Sequence, residues 1–167
     1  MNLTKEFLVE KGACSDGFAW FLKHESECDT VEKCVSVLLN EGKSDWAFWL
    51  ISRVLTHENN VRWAVMCARK GLPIWEKEHP ENLAPRKAID AAEAWLENPC
   101  ESTRENARAL AAAWVSASAW AGVSAWALAV ALAAAWAWAA ALAAAWCAEE
   151  DAKELSAFGL SLIKENV

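Results

Sequence analysis

ALAAAWVSASAWAGVSAWALAVALAAAWAWAAALAAAWCA, residues 109–148, is the stretch that decides the fold. It lies between Arg108 and Glu149 and contains no charged side chain. More than half of its residues are alanine, and it holds six of the twelve tryptophans. A straight helix of this length measures ~60 Å, too long for a compact chain of this size. The serines and glycine around Gly122 are typical of a bend. We therefore predict a central Ala/Trp-rich helix bent near Gly122.

Three interpretations fit this stretch: a buried core helix, a membrane span and a self-assembling face. Large apolar side chains lie on both sides of the helix beyond Gly122, which is typical of a helix in the middle of a bundle. Residues 124–148 are also long enough to cross a bilayer, but Trp136 and Trp138 would then lie at its centre, away from the interfaces that tryptophan prefers. The buried core is the preferred interpretation. Membrane insertion through residues 124–148 is the alternative, and a scaffold that self-assembles through an exposed Ala/Trp face is a third.

The rest of the chain predicts helices throughout. Apolar residues recur at helical spacing, for example at Val61, Val65 and Leu72, and no run of β-branched alternation is found. Asp29 is predicted to cap a helix, and Pro73 to kink or restart one. The expected fold is an all-α single-domain bundle of seven or eight helices. Its predicted parts are residues 1–57 (N-terminal helices), 58–99, 100–148 (the Ala/Trp-rich core helices) and 149–167 (the C-terminal helix).

Charge and cysteine usage limit the function classes. The chain carries 23 acidic and 16 basic side chains, a net charge of −7. Nucleic-acid binders need a basic surface to displace counterions from phosphates, so nucleic acid is not an expected partner. The first residues are charged and do not resemble a secretory signal, and the six cysteines form no CxxC pair. These features predict a cytoplasmic protein with reduced thiols.

No catalytic or cofactor motif is present in the sequence. The phosphate-binding, dinucleotide-binding and zinc-protease signatures are all missing. His24, Cys28 and Cys34 are the nearest approach to a metal site, but no fourth ligand follows at a suitable spacing. We therefore predict a protein that is not an enzyme and has neither a cofactor nor a metal.

A candidate binding surface lies where aromatic and cationic residues meet at the ends of helices. Its four residues are Arg62, Trp75, His79 and Arg86. Such combinations are enriched in protein interfaces, and loops at element ends often carry function. Helix capping, a rigid turn and one intramolecular ion pair would account for the same residues, and the sequence leaves both interpretations open.

Residues 61–99 resemble a family of bacterial immunity proteins of polymorphic toxin systems. The resemblance rests on Arg62-Trp63-Ala64, Cys67-Ala68-Arg69, Leu72-Pro73 followed by an aromatic, and a helix from Pro85-Arg86 to Ala94-Trp95. It implies an all-α, non-catalytic protein that binds a protein partner, either a toxin or a host defence factor. The N-terminal segment resembles an element of small phage and prophage proteins with similar alanine–tryptophan tracts. The sequence does not identify the partner or the oligomeric state.

Overall fold

The computed structural model describes residues 1–118 and 149–165. In these two ranges it has eight helices and no strand, which confirms the predicted all-α fold. The helices are α1 Lys5–Glu10, α2 Ser15–Lys23, α3 Val31–Asn40, α4 Ser44–Val54, α5 His57–Glu78, α6 Ala84–Glu97, α7 Glu101–Ser118 and α8 Glu149–Lys164. An isolated antiparallel bridge between Asn2 and Thr30 ties the first residues to the start of α3.

Three predictions fall outside the described ranges: the bend near Gly122, the membrane span over residues 124–148, and the burial of the Ala/Trp-rich stretch. Among the helices that the structure does describe, none is both long and apolar enough to cross a membrane.

The chain divides into two compact units. The first comprises Met1–Leu55 and Ala148–Val167, so both ends of the chain contribute to it. In this unit α3 and α4 pack against each other, and α8 contacts both. Apolar side chains that are almost completely buried come from all three helices, among them Val35, Phe48, Ile51 and Leu155. Burial of such side chains is the main favourable contribution to folding.

The second unit, Thr56–Cys147, contains α5, α6 and α7. Its described apolar cluster joins one stripe of α5 to one stripe of α6. The members are Val61, Val65, Leu72, Ile89 and Ala92, with Ala68, Trp95 and Leu96 packed against them. These are residues that helical spacing predicted to face inward, because positions three and four apart share one face of a helix.

The observed helix ends differ from the predicted ones more than the inward-facing residues do. Thr30, not Asp29, caps α3, and its side chain accepts a hydrogen bond from the Lys33 N–H. Pro73 does not restart the helix, since α5 runs unbroken from His57 to Glu78 with the proline inside it. Pro85 lies in the first turn of α6, where a missing backbone N–H costs nothing. Gly42, at the end of α3, has a φ of 70°, a left-handed conformation that favours glycine.

Candidate functional site

Helices α5 and α6 form an antiparallel hairpin. His57 at the start of α5 contacts Trp95 near the end of α6, with ring centroids 5.7 Å apart. At the opposite end, Glu76 in the last turn of α5 contacts Arg86 in the first turn of α6. The apolar cluster lies between the two helices, so polar side chains along their edges remain in contact with water. The last turn of α5 and the first turn of α6 therefore lie next to each other at the α5–α6 turn.

Trp75 and His79 lie side by side at this turn. Their ring centroids are 4.3 Å apart and the planes are tilted by 42°. They are four residues apart, a spacing that places side chains on the same side of a helix, and the His79 N–H donates to the Trp75 carbonyl at 2.8 Å. The indole Nε1 of Trp75 is buried and has no hydrogen-bond partner among the described residues. A buried donor without an acceptor costs free energy, so Trp75 has an unmet hydrogen-bonding requirement.

Arg86 is held against α5 by a two-point ion pair. Its Nε lies 2.7 Å from Oε1 of Glu76, and its Nη2 lies 2.6 Å from Oε2. The hydrogen bond from Arg86 keeps the pKa of Glu76 below its ordinary value, and the same bond raises the pKa of Arg86. The Arg86 side chain is still 47% exposed. Arg86 thus forms an intramolecular ion pair, as the structural alternative to a binding surface predicted, and its side chain is still accessible to a partner.

A second arginine continues the row of charges along the hairpin. The Arg69 guanidinium contacts both Glu93, with Nε to Oε1 at 2.9 Å, and Asp90, with Nη2 to Oδ1 at 2.7 Å. The hydrogen bond to Glu93 is the main reason why the pKa of Arg69 is raised. Planar guanidinium groups suit such multiple carboxylate contacts. Arg69 therefore fixes the position of α6 beside α5 and supports the surface at the turn.

Two large apolar side chains are exposed beside these polar groups. Ile74 in α5 is 40% exposed, and Leu83 just before α6 is 49% exposed. Both are close in sequence to Trp75 and Arg86, on the two sides of the α5–α6 turn. We call the surface formed by Ile74, Trp75, His79, Leu83 and Arg86 the turn surface.

Arg62 lies apart from the turn surface. It is in the second turn of α5, and its Nη2 pairs with Oε1 of Glu58 at 2.6 Å. Thirteen residues separate it from Trp75, which corresponds to ~20 Å along a helix. The structure thus brings together Trp75, His79 and Arg86, three of the four predicted residues, and places the fourth elsewhere.

The sequence-based prediction missed Ile74, Leu83 and Glu76. Helical spacing gives a signal for the first, because Ile74 lies two residues, or about 200°, from the inward position Leu72 and therefore on the opposite side of the helix. Leu83 gives no such signal, since its exposure depends on how the connection from α5 to α6 is folded. The partner of Arg86 was equally hidden, because a pair ten residues apart requires the hairpin.

The described part of the chain holds no candidate metal site beside this surface. There, no group of three or more His, Cys, Asp or Glu side chains is placed to hold a metal ion. His24 instead pairs with Glu41, Nε2 to Oε1 at 3.1 Å, while Cys28 and Cys34 are buried.

Fold and surface together define a small all-α protein with an exposed aromatic, apolar and charged surface on a helical hairpin. Residues 51–165 match the family described as Imm-5 like putative immunity protein, and the match spans more than half of the sequence. The chain belongs to that family, which confirms the resemblance of residues 61–99. Residues 1–63 match the YdhT N-terminal domain. No curated protein and no solved structure matches the chain.

Proposed function

We propose that this chain is a non-enzymatic immunity protein that binds a protein toxin through the turn surface and thereby blocks the toxin's activity. Family membership supports an immunity role, and the turn surface lies inside the matched residues 51–165. Toxin neutralisation by binding needs complementary surfaces and no chemistry in the immunity protein itself. A host defence factor is the alternative partner, and a phage origin of the gene would favour it.

The exposed pair Ile74 and Leu83 is the observation that carries this proposal. Single exposed apolar side chains are common on protein surfaces, but here Ile74 directly precedes a tryptophan and Leu83 lies three residues before a half-exposed arginine, on the two sides of one turn. Tryptophan and arginine are the residues most enriched among those that dominate binding free energy. A partner that covers the turn surface would remove Ile74 and Leu83 from water.

The unsatisfied indole of Trp75 supports the same surface. His79 is exposed and its ring lies against the Trp75 ring. A partner that displaces the His79 ring and presents a carbonyl or carboxylate oxygen would give the Trp75 N–H its missing acceptor. Binding would then relieve an unfavourable interaction of the free protein, which adds to the affinity.

The net charge of the chain indicates the kind of partner surface. At −7, the chain attracts a basic protein at long range and accelerates their association. Since Arg86 is already paired with Glu76, it presents a charged pair and not an isolated cation. We expect the partner to carry a mostly basic surface with an apolar centre.

Co-expression with the candidate toxin tests the proposal. The product of the neighbouring gene is expressed in bacteria with and without this chain, and growth is measured. We expect the wild-type chain to restore growth, and Trp75→Ala and Leu83→Glu to lose this protection. Purified variants are compared by circular dichroism to establish that they fold.

Arg104 provides a matched control for Arg86. Its side chain is 52% exposed, and it pairs with the single carboxylate of Glu101. Arg86→Ala should weaken protection whereas Arg104→Ala should leave it unchanged. Full protection by the folded Trp75→Ala, Leu83→Glu and Arg86→Ala variants would rule out the turn surface as the binding site.

A further inference from the structure

His24 follows the last residue of helix α2, and both of its ring nitrogens lie beside hydrogen-bond acceptors. Its Nδ1 is 2.9 Å from the carbonyl oxygen of Trp20, one turn earlier in the same helix. Its Nε2 is 3.1 Å from Oε1 of Glu41, which follows the end of α3. A backbone carbonyl and a carboxylate can only accept, so both contacts are hydrogen bonds only when each ring nitrogen carries a proton. The geometry therefore fits the imidazolium form of His24.

Two further features favour a positive charge at this position. The His24 ring is stacked on the Trp20 ring, with centroids 4.4 Å apart and planes inclined by 23°. A cation over the face of an indole is attracted by its π electrons. His24 also lies at the carboxyl end of α2, where the helix dipole favours a cation. The contacts of the ring, its stacking and its position in the helix all favour the same protonation state.

Glu41 is the acceptor that joins α2 to the α3–α4 connection. Its Oε2 accepts hydrogen bonds from Nε1 of Trp20 at 2.8 Å and from the Lys43 ammonium at 2.7 Å. These bonds, that of Lys43 first, lower the pKa of Glu41, so it remains a carboxylate over the pH range in which histidine titrates. When His24 loses its proton, one of its two nitrogens faces an acceptor without a hydrogen, and one hydrogen bond is lost.

Few apolar contacts hold α2 in place apart from this cluster. Phe21 is its buried side chain, and Trp20 meets Trp46 of α4 edge to face with centroids 6.1 Å apart. Leu22 in the same helix is 45% exposed. A helix of nine residues is shorter than the ~12–15 that an isolated helix needs, so α2 depends on its contacts with the other helices. Loss of one hydrogen bond at His24 therefore weakens the docking of α2.

The other charged and titratable groups near His24 do not replace it in this range of pH. Lys43, at the start of α4, bonds to the same carboxylate and remains cationic. Cys28, in the connection from α2 to α3, is buried, and burial raises the pKa of its thiol, so it stays neutral. Glu25 pairs with a lysine of α1 at 2.7 Å. His24 is thus the member of the cluster whose charge changes near neutral pH.

We propose that His24 is a pH-sensitive latch, whose protonated ring holds the end of α2 on Glu41 and whose loss of the proton loosens α2 from the α3–α4 connection. The docked arrangement takes up a proton that undocked α2 does not require, so docking is favoured as the pH falls through the range in which histidine titrates. The latch lies outside residues 51–165 and within residues 1–63, so it does not depend on the proposed toxin binding.

Glu41 sets the lower limit of this range. A carboxyl group with a lowered folded-state pKa stabilises the docked state above its unfolded-state pKa, and this contribution is lost as the pH falls through the folded-state value, below 4.5. The latch is therefore closed most firmly between the titration of Glu41 and that of His24.

Hydrogen exchange of the full chain between pH 5.5 and pH 8 tests the latch. The protection factors of amides 18–24, corrected for the pH dependence of exchange in an unfolded chain, are divided by those of α3 in the same compact unit. We expect this ratio to be about fivefold higher at pH 5.5 than at pH 8, the upper end for an exposed ion pair. Ring ¹⁵N shifts of His24 in the same samples should change with the same midpoint.

Two variants and a control separate the latch from other effects of pH. His24→Gln carries no titrating group, so its ratio should not change between pH 5.5 and pH 8. Glu41→Gln removes the carboxylate and should reduce the change, and circular dichroism establishes that both variants fold. His57 is the matched control, an exposed histidine whose ring contacts Trp95, and His57→Gln should behave as the wild type does.

Three results would overturn the proposal. The first is a ratio that does not change with pH in the wild type. The second is a change whose midpoint differs from that of the His24 ring. The third is a change that persists in the folded His24→Gln variant, because another group would then cause it.

Discussion

Arg86 and Glu76 lie ten residues apart in sequence and meet through two N–H···O contacts of 2.7 and 2.6 Å across the α5–α6 turn. The pair fixes the first turn of α6 beside the last turn of α5. It thereby sets the distance between Ile74 on one side of the turn and Leu83 on the other. The geometry of the turn surface depends on this contact.

The first prediction concerns pH. The hydrogen bond from Arg86 lowers the pKa of Glu76 in the folded protein below the ordinary glutamate value of 4.5. A carboxyl group with a lowered folded-state pKa stabilises the protein above its unfolded-state pKa, and this contribution is lost as the pH falls through the folded-state value. We expect Glu76→Gln to be less stable than the wild type at pH 7 and to approach it below pH 4. Urea unfolding at several pH values measures this, and a constant difference between the two proteins would contradict it.

Two adjacent residues in α8, Leu155 and Ser156, allow the contributions of apolar and polar burial to stability to be measured separately. Leu155 is completely buried and Ser156 almost so, and the Ser156 hydroxyl has no partner within the described residues. We expect Leu155→Ala to lower the free energy of unfolding by about 2–5 kcal/mol, because it leaves a cavity. Ser156→Ala removes an unsatisfied hydroxyl, so it should be neutral or stabilising by about 1 kcal/mol.

Chemical denaturation of the two alanine variants checks this prediction, and each serves as the other's control for a substitution in α8. If Ser156→Ala lowered the free energy of unfolding by more than about 1 kcal/mol, the Ser156 hydroxyl would have to have a hydrogen-bond partner.

Cys100 should be the most reactive described thiol. Its sulfur lies 3.2 Å from the Ser102 hydroxyl oxygen and 3.4 Å from that of Thr103. Hydrogen bonds from these residues, that of Ser102 first, lower the pKa of Cys100 to about 7. The thiolate is the reactive form, so alkylation should be about tenfold slower at pH 6 than at pH 8. The Cys14→Ser variant removes the other described exposed thiol.

Iodoacetamide labelling followed by peptide mass spectrometry measures the rate at Cys100. Cys28, Cys34 and Cys67 are buried, and burial raises the pKa of the first two, so they should be labelled only after unfolding. Ser102→Ala/Thr103→Ala should move the pH midpoint of Cys100 labelling upward. An unchanged midpoint in that variant would contradict the assigned cause.

Pro73 should destabilise the helix that contains it. It is exposed inside α5 and has no N–H to donate to the carbonyl four residues earlier. We expect Pro73→Ala to raise the free energy of unfolding by about 1–3 kcal/mol, as expected from helix propensity. Thermal unfolding followed by circular dichroism measures the change. A lower midpoint than that of the wild type would mean that the proline makes a favourable contact.

Periodicity predicted the helices well because it depends on local geometry. Val61, Val65 and Leu72 were assigned to one side of a helix from spacing alone, and they are buried together in the structure. Cap residues were harder, because neighbouring polar residues compete for the same position. Thr30 and Asp29 can each accept a backbone hydrogen bond, and the sequence does not show which of them does.

The candidate site was only partly predictable for a different reason. Trp75 and His79 lie four residues apart, so their contact follows from the helix. The contacts of Arg86 with Glu76 and of Arg69 with Glu93 depend on how two helices pack. No local pattern encodes them. Arg62 was grouped with the turn residues because of its residue type. It lies near the start of α5, whereas the turn residues lie at the other end of that helix.

Hydrogen exchange on the complex with the toxin tests the central claim most directly. The connection at residues 79–83 lies outside the helices, so its amides should exchange rapidly in the free protein. If the turn surface binds the toxin, exchange over residues 74–86 slows on complex formation, while the exposed first turn of α7 around Arg104 is unaffected. Unchanged exchange over residues 74–86 in a saturated complex would contradict the claim.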